Sequence, residues 1–281
     1  MTNQIEQQLE GRHRALARVL WGLAIAYIVI LLLSPPNLLL PGEPAWAIQP
    51  ETIREIVAES LNFFFVLPIL SATSEIVLGS GNGLFAPIVH PASEAFFNFA
   101  EAWIFMFLPL LLFDRRGTHL PKVIVWSAAM FLTNVFLIPY MAQRLTQPPV
   151  SSQKADSQTA NSQETELFQF DNRLLAKVFG WIGLGVGTGA VLWFCFARPE
   201  FGGVAERGAY LLSKLKSDRV TIAFCADLLL FWIFQSWLMG AAMHKKSPLR
   251  FVPFWGLAIW LISQAGNAAP KNATKGAAEN A

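Results

Sequence analysis

The chain has 281 residues, of which 54% are hydrophobic and only 14% are charged. Roughly a quarter of the residues in a soluble domain are charged, so this composition excludes an ordinary soluble protein and indicates a membrane protein. The formal net charge is only +2, and no basic surface with interleaved aromatic residues appears, which argues against a nucleic-acid partner. We therefore expect membrane lipids and other membrane proteins as the partners of this chain.

Seven apolar segments are each close to the length that crosses a bilayer, since about 20 helical residues span roughly 30 Å of hydrocarbon. They are residues 15–33, 53–71, 92–113, 121–141, 174–197, 219–241 and 249–265. Backbone groups in lipid must be hydrogen-bonded within the segment, so these segments predict helices. The predicted fold is an all-α, polytopic integral membrane helical bundle of about seven transmembrane helices.

The orientation of this bundle stays open at the level of sequence. Three arginines between residues 12 and 18 precede the first span, and they predict a retained signal anchor with its N-terminus on the cytoplasmic or stromal side. With seven crossings, however, the basic loops at 115–122 and 245–250 fall on opposite sides of the membrane. The positive-inside count is then nearly balanced.

Composition divides the chain into two membrane halves. Residues 1–145 form an N-terminal half with four predicted spans, and residues 172–265 form a C-terminal half with three. The stretch 146–171 is rich in Ser, Gln and Thr and has few apolar residues to bury, so it is predicted to be a disordered linker, as is the tail 266–281. The pattern of apolar and charged residues at 200–218 predicts an amphipathic helix on the membrane surface.

The two halves hint at an internal repeat. A Phe-Ala-Glu sequence ends at Glu101, and a Phe-Cys-Ala-Asp sequence ends at Asp227. If 53–141 and 174–265 each held three spans, the odd number would invert one half relative to the other, as in many secondary transporters. The alignment needs a gap, and chance similarity between apolar helices is the favoured explanation.

Acidic and amide residues inside the predicted spans are the candidates for chemistry. Two spans carry such residues at i, i+4 and i+7, which places each trio on one helix face. The trios are Glu55, Glu59 and Asn62, and Glu94, Asn98 and Glu101. An acid at the centre of a span costs about 2.5–3.5 kcal/mol, so it faces the bundle interior. The predicted intramembrane polar site comprises Glu59, Asn62, Asn98, Glu101, Asn134 and Asp227. Interhelical hydrogen bonding is the alternative role, and Glu55 and Glu94 are close enough to helix ends to be solvated.

The positions of the histidines and glycines argue against a catalytic site. All four histidines, His13, His90, His119 and His244, lie outside the apolar cores, so no span offers an axial haem ligand or a di-iron pattern. The glycines between 183 and 189 lie within a span without a preceding strand, which favours close helix packing over nucleotide binding. We expect no catalytic residue, no metal site and no cofactor, although enzymatic activity stays open.

Several segments carry a resemblance to a known family. The clearest are ESLNFFFVLPIL at 59–70, HPASEAFFNFAEAWIFMFLPLLLFDRRG at 90–117, MFLTNVFLIPYMAQRL at 130–145, RVTIAFCADLLLFWIFQSWLMG at 219–240 and RFVPFWGLAIWL at 250–261. They resemble an uncharacterised family of multi-pass membrane proteins found in cyanobacteria and plant chloroplasts. The resemblance implies a photosynthetic cell and a cyanobacterial plasma or thylakoid membrane. It carries no established activity and therefore no catalytic residues.

Three functions are consistent with these observations. The leading hypothesis is a non-catalytic accessory or assembly factor of a photosynthetic membrane, because catalytic motifs are absent and aromatic residues abundant. The alternative is a small-solute or ion transporter with a midplane acidic site. A membrane enzyme acting on lipid or isoprenoid has little support.

Overall fold

The computed structural model describes residues 2–44, 50–78, 85–146, 172–243 and 247–264, and within these ranges every regular element is helical. The helices are α1 Thr2–Tyr27, which continues as a π-helix over Ile28–Leu33, α2 Pro50–Leu61, α3 Val66–Leu78, α4 Pro91–Phe105, α5 Phe107–Leu112, α6 Lys122–Leu132, α7 Asn134–Gln143, α8 Asn172–Phe196, α9 Val204–Ser217, α10 Arg219–Ala242 and α11 Trp255–Ser263. The prediction of an all-α bundle is confirmed for this part of the chain. The predicted linker beyond Thr146 and the predicted tail lie outside the described residues.

Five segments are long and apolar enough to cross a membrane, which supports an integral membrane protein. They are Glu10–Leu33, Val57–Ser74, Pro91–Leu112, Asn172–Phe196 and Arg219–Ala242. The predicted spans 121–141 and 249–265 are not among them, because each is broken into shorter pieces. The count of seven crossings is therefore not confirmed.

The bundle has two ends, which contacts between helix termini define. We call the upper end the one at which α4 and α10 begin, and the lower end the opposite one. At the upper end, Arg219 donates to the Ser34 carbonyl oxygen at 2.6 Å, so α1 and its π-helical extension finish there. At the lower end, Arg116 lies 3.4 Å from the His13 ring near the beginning of α1. The α1 helix therefore runs antiparallel to α4 and α10.

The predicted span 121–141 is a re-entrant hairpin. Its two helices, α6 and α7, meet at Thr133, whose φ of 36° and ψ of −109° end the first helix. Lys122 donates to the Asp114 carbonyl oxygen at 2.7 Å, and Arg144 bonds the Asp114 carboxylate at 2.5 Å. Both ends of the hairpin therefore lie at the lower end of the bundle, and Thr133 is its tip. Hydropathy alone cannot distinguish such a hairpin from a crossing.

The predicted span 249–265 also enters and leaves at the lower end. After the 3-10 turn Pro248–Phe251, the backbone changes direction at Phe254, whose φ is 57°, before α11 begins. Gln235 of α10 donates to the Val252 carbonyl oxygen at 2.8 Å, so a side chain of α10 supplies the hydrogen-bond partner of a carbonyl that lies outside any helix. The α11 helix then returns, and the Trp260 ring packs on Phe113 with centroids 5.6 Å apart. Phe251 and Val252 are exposed, and side chains of α10 pair their carbonyl oxygens, since the Trp232 indole donates to that of Phe251 at 2.9 Å.

The apolar segment Val57–Ser74 is interrupted in its middle. A 3-10 turn over Phe63–Phe65 follows Asn62, and the φ angles of Phe64 and Phe65 are 54° and 57°. The chain enters this region from Ser34 at the upper end and leaves it at His90, whose ring stacks on Tyr210 of α9 at 3.5 Å. The region between α1 and α4 thus makes no net crossing, although its length and hydropathy resemble those of a span.

The α9 helix confirms the predicted helix within 200–218 and lies at the upper end, in contact with α4, α8 and α10. Arg207 of this helix, although charged, is only 1% exposed. Its guanidinium donates to the Phe194 carbonyl oxygen at 2.6 Å and the Arg198 carbonyl oxygen at 3.0 Å, and also to that of Ala197. The end of α8 leaves these carbonyls without helical partners, and the arginine supplies them.

The helices of the two halves follow the same order and run in the same directions. In the first half an upward helix, α1, is followed by the downward helix α4 and the α6–α7 hairpin. In the second half α8, α10 and the re-entrant segment ending in α11 follow in that order. The described residues do not have the inverted arrangement, because α1 and α8 both run upward, α4 and α10 both run downward, and a re-entrant segment at the lower end follows each pair. A parallel repeat is the other arrangement found in transporters.

Glycines of α8 provide a stability prediction with a matched control. A Cβ atom at Gly187 would lie 2.0 Å from Cζ of Phe254, whereas a Cβ at Gly189 would meet nothing within 4 Å. We expect Gly187→Ala to lower the free energy of unfolding by about 1–3 kcal/mol through overpacking. Gly189→Ala should be neutral or stabilising, since alanine favours the helix by up to about 1 kcal/mol. Thermal unfolding in detergent measures both, and equal stability of the two variants would contradict this packing.

Candidate functional site

A cavity of about 650 Å³ lies in the upper half of the bundle. Its walls come from α1, α2, α4 and α10, and the tip of the α6–α7 hairpin contributes to its base. Glu43 and Pro44 from the upper-end loop line it, and so do Glu101 and Asp227 from within the bundle. By helix rise, Asp227 lies about 12 Å below the start of α10 and Glu101 about 15 Å below the start of α4. The cavity therefore extends from the upper end to mid-depth.

The lower half beneath this cavity is closed by packed side chains. Phe107, Leu110 and Ile138 are fully buried there, and Phe231 of α10 belongs to the same cluster. Well-packed apolar interiors leave few voids larger than a water molecule. The cavity thus has one closed end.

Asp227 is held at the base of the cavity by three donors. The hydroxyl of Tyr27 donates to its Oδ1 at 2.5 Å and the hydroxyl of Thr133 to its Oδ2 at 2.7 Å, while Nδ2 of Asn134 donates to Oδ1 at 2.7 Å. An ionised carboxylate only accepts hydrogen bonds, so a ring of donors suits it. These bonds tie α1, α10 and the hairpin tip to one side chain.

Glu101 faces the same cavity in a different environment. Only 6% of the residue is exposed, yet within the described part of the chain its carboxyl has neither a hydrogen bond nor a salt bridge. It lies close enough to Asp227 for the two carboxyl groups to interact electrostatically. A buried carboxyl without partners is costly, and binding a proton or a cation relieves that cost.

The hairpin tip brings a strained residue to this site. Thr133 is β-branched and rarely adopts a positive φ, and here its φ is 36°. Such conformations cost on the order of 1–3 kcal/mol and persist where surrounding contacts hold them. The contacts are those of Thr133 and Asn134 with Asp227, so the carboxylate and the bent tip hold each other in place.

Two of the predicted site residues lie elsewhere. Asn62 donates to Oε1 of Glu94 at 2.7 Å, and Asn98 accepts from the backbone N–H of Phe64 at 2.5 Å. They hold the break between α2 and α3 against α4, together with Trp193, which donates to Glu94 at 2.9 Å. Their role is the interhelical hydrogen bonding that the sequence offered as the alternative. Glu94, predicted to be solvated, is 0% exposed and lies 3.5 Å from Arg198.

The remaining predicted residues do meet at the cavity. Glu101 and Asp227 line its base, Asn134 holds Asp227, and Glu59 lines the wall on α2. Three residues of the site were missed, namely Tyr27, Thr133 and Arg219. Thr133 gives no sequence signal of a break, since no glycine or proline marks it. Tyr27 is one of only three tyrosines in the chain, and that rarity was the available clue.

A buried ion pair closes the lower end of the hairpin. Arg144 and Asp114 form a salt bridge of 2.5 Å with both side chains 1% exposed, and the Tyr140 hydroxyl donates to the same carboxylate at 2.7 Å. Burial alone would raise the pKa of the Asp114 carboxyl. The hydrogen bonds and charge of Arg144, with the Tyr140 hydroxyl, outweigh burial and hold that pKa below its ordinary value.

Across the described residues, no group of three or more His, Cys, Asp and Glu side chains has the geometry to hold a metal ion. The polar groups at the cavity base are instead two carboxyls with hydroxyl and amide donors. This chemistry suits a proton, or a ligand that carries positive charge. Comparison with known proteins adds no family, since no protein-family model, no curated protein and no solved structure matches the chain.

Proposed function

We propose that this chain is a membrane carrier for a small solute, and that the cavity between α1, α2, α4 and α10 is its binding site. The observation that carries the proposal is a cavity of about 650 Å³ that reaches a buried carboxyl, Glu101, without a hydrogen-bond partner in the described chain. Cavities of this volume suit drug-sized ligands. Ionisable residues within membrane spans mark substrate, ion and proton pathways.

The arrangement of elements supports carriage as well as binding. A site at mid-depth, between two parallel halves and beside broken helices, is the arrangement that secondary transporters use. The hairpin tip is one such break and holds Asp227 directly. A change in the contacts of Asp227 would therefore shift the tip of the hairpin, which separates the cavity from the lower end.

Cysteine labelling from each side of the membrane tests this proposal. Ala223 lines the cavity on α10, whereas Leu229 on the same helix is 55% exposed on the outer surface of the bundle. In a background without Cys195 and Cys225, a carrier should allow a membrane-impermeant maleimide to label Ala223→Cys in right-side-out and in inside-out vesicles. Leu229→Cys, which faces lipid, should be labelled in neither.

Labelling of Ala223→Cys from one side only would overturn carriage, because the cavity would then be a closed pocket. No labelling from either side would show that aqueous solutes do not reach the cavity. Carriage would also be overturned if the Glu101→Gln and Asp227→Asn variants folded normally and caused no change in the cells that carry them.

The accessory or assembly role is the second candidate, and one observation favours it. Gly185 and Gly189 lie on the outer surface of α8, where an added Cβ meets nothing within 4 Å. Such small-residue faces allow a partner helix to approach closely. This role, in a cyanobacterial plasma or thylakoid membrane, follows from the family resemblance. Purification in mild detergent tests it: the chain should migrate with a larger membrane complex, and Gly189→Leu should release it.

A further inference from the structure

The cavity walls are predominantly aromatic and aliphatic. The rings that line it are those of Tyr27, Phe63, Phe97, Phe131 and Phe224. Two of them, Phe97 and Phe224, stand nearly perpendicular with centroids 6.0 Å apart. Walls of this kind give binding energy to a ligand with apolar surface, and a small hydrated ion would leave them unused.

The ionisable groups on the same walls are mostly acidic. Among the described residues, four carboxyl groups line the cavity, those of Glu43, Glu59, Glu101 and Asp227, together with one cation, Arg219. The terminal nitrogens of Arg219 donate to the carbonyl oxygens of Ser34, Pro35 and Leu40, which holds its guanidinium against the end of the first span. Within the described part of the chain, an anionic ligand would therefore find no cationic side chain at the base of the cavity, only the carboxyls of Glu101 and Asp227.

From this combination we infer the substrate class, an inference that rests on the proposed function: the cavity takes a hydrophobic organic cation. The positive charge lies at the base, against Glu101 and Asp227, and the apolar groups lie against the rings. Aromatic faces attract organic cations within about 6 Å, more strongly when water is excluded. A neutral solute would leave Glu101 without a counter-charge, and a metal ion would need a set of ligands that the described residues do not assemble.

Two probes of the same shape and opposite charge test this assignment. Tetraphenylphosphonium and tetraphenylborate are each added to reconstituted protein that carries Ala223→Cys without the native cysteines, and the rate of maleimide labelling is measured. We expect the cation to slow labelling at least tenfold at saturation and the anion to leave the rate unchanged. In the Glu101→Gln, Ala223→Cys double variant, half-maximal protection should require at least a tenfold higher concentration of the cation. A cation that acted only by partition into lipid would protect both proteins equally.

The outcomes separate this inference from the carrier proposal. Equal protection by both ions, or protection by the anion alone, would overturn the cation assignment and leave a solute cavity. Labelling that neither ion slows would also overturn it. Carriage fails by a different result, namely Ala223→Cys that reacts from one side of the membrane only.

Discussion

Arg144→Met is expected to lower the free energy of unfolding by about 3–5 kcal/mol, because it leaves a buried carboxylate without its partner. The Asp114 side chain is 1% exposed and lies 2.5 Å from the Arg144 guanidinium. Tyr140 and the hairpin end also depend on this carboxylate, so the loss should loosen α7. Reversible unfolding in mixed detergent and dodecyl sulfate micelles measures the change.

Two controls identify the cause. Arg14→Met breaks a pair whose side chains are 67% and 57% exposed, and exposed pairs contribute only about 0.2–1 kcal/mol. The double variant Asp114→Leu, Arg144→Met should recover most of the loss, since apolar residues often replace a buried pair without cost. A single Arg144→Met variant as stable as the native protein would show that the pair does not hold the hairpin.

The same pair gives the protein an acid-sensitive component of stability. The pKa of Asp114 is lower in the folded protein than in the unfolded chain, so its contribution is complete above the unfolded pKa. It is lost as the pH falls through the folded pKa, that is, below about pH 4. The double variant should lack this component of the acid dependence.

Glu101→Gln is expected to weaken binding of an organic cation by about tenfold to a hundredfold while leaving stability within about 0.5 kcal/mol. The loss of a charged partner for the ligand costs about 1.5–3 kcal/mol of binding free energy. Stability should hold because the described structure gives the Glu101 carboxyl no hydrogen bond to lose. Binding isotherms and thermal unfolding of the purified variant measure the two quantities.

Asp227→Asn should differ, since it affects both quantities. An amide cannot accept from all three donors around it, and one mismatched buried group costs about 1–3 kcal/mol. Glu94→Gln supplies the converse control on the same helix as Glu101. That carboxyl bonds Asn62 and Trp193 and does not line the cavity, so its loss should lower stability and leave cation binding intact. Identical effects of Glu101→Gln and Glu94→Gln would contradict the assignment of Glu101 to ligand binding.

Hydropathy predicted the long helices well, because a continuous apolar segment in lipid has few alternatives to a helix. The helices α1, α4, α8 and α10 lie where the sequence places them. The re-entrant segments were missed, since their residues are as apolar as those of a crossing. The break at Thr133 has no glycine or proline beside it, and tertiary contacts hold its positive φ. Pro253 directly precedes the break at Phe254, but a proline within a span also marks a simple kink.

The site was predicted in part for a similar reason. Glu101 and Asp227 were selected because a buried acid is costly wherever the helices pack. Which amide would serve which acid depended on helix order, and so Asn134 joined Asp227 while Asn62 joined Glu94. The hydroxyl donors Tyr27 and Thr133 were missed because the role of a hydroxyl in a span depends on the groups that it contacts, which helix packing decides.

Because both re-entrant segments return to the lower end, some basic residues that seven crossings would have separated lie at the same end. The lower end carries Arg12 and Arg14 of α1, Arg115 and Arg116 after α5, and Arg250 after α10, whereas the upper end carries Arg207, Lys214 and Arg219. The cavity opens at the other end, so a solute would reach its carboxyl groups from the side of the membrane opposite Arg115, Arg116 and Arg250.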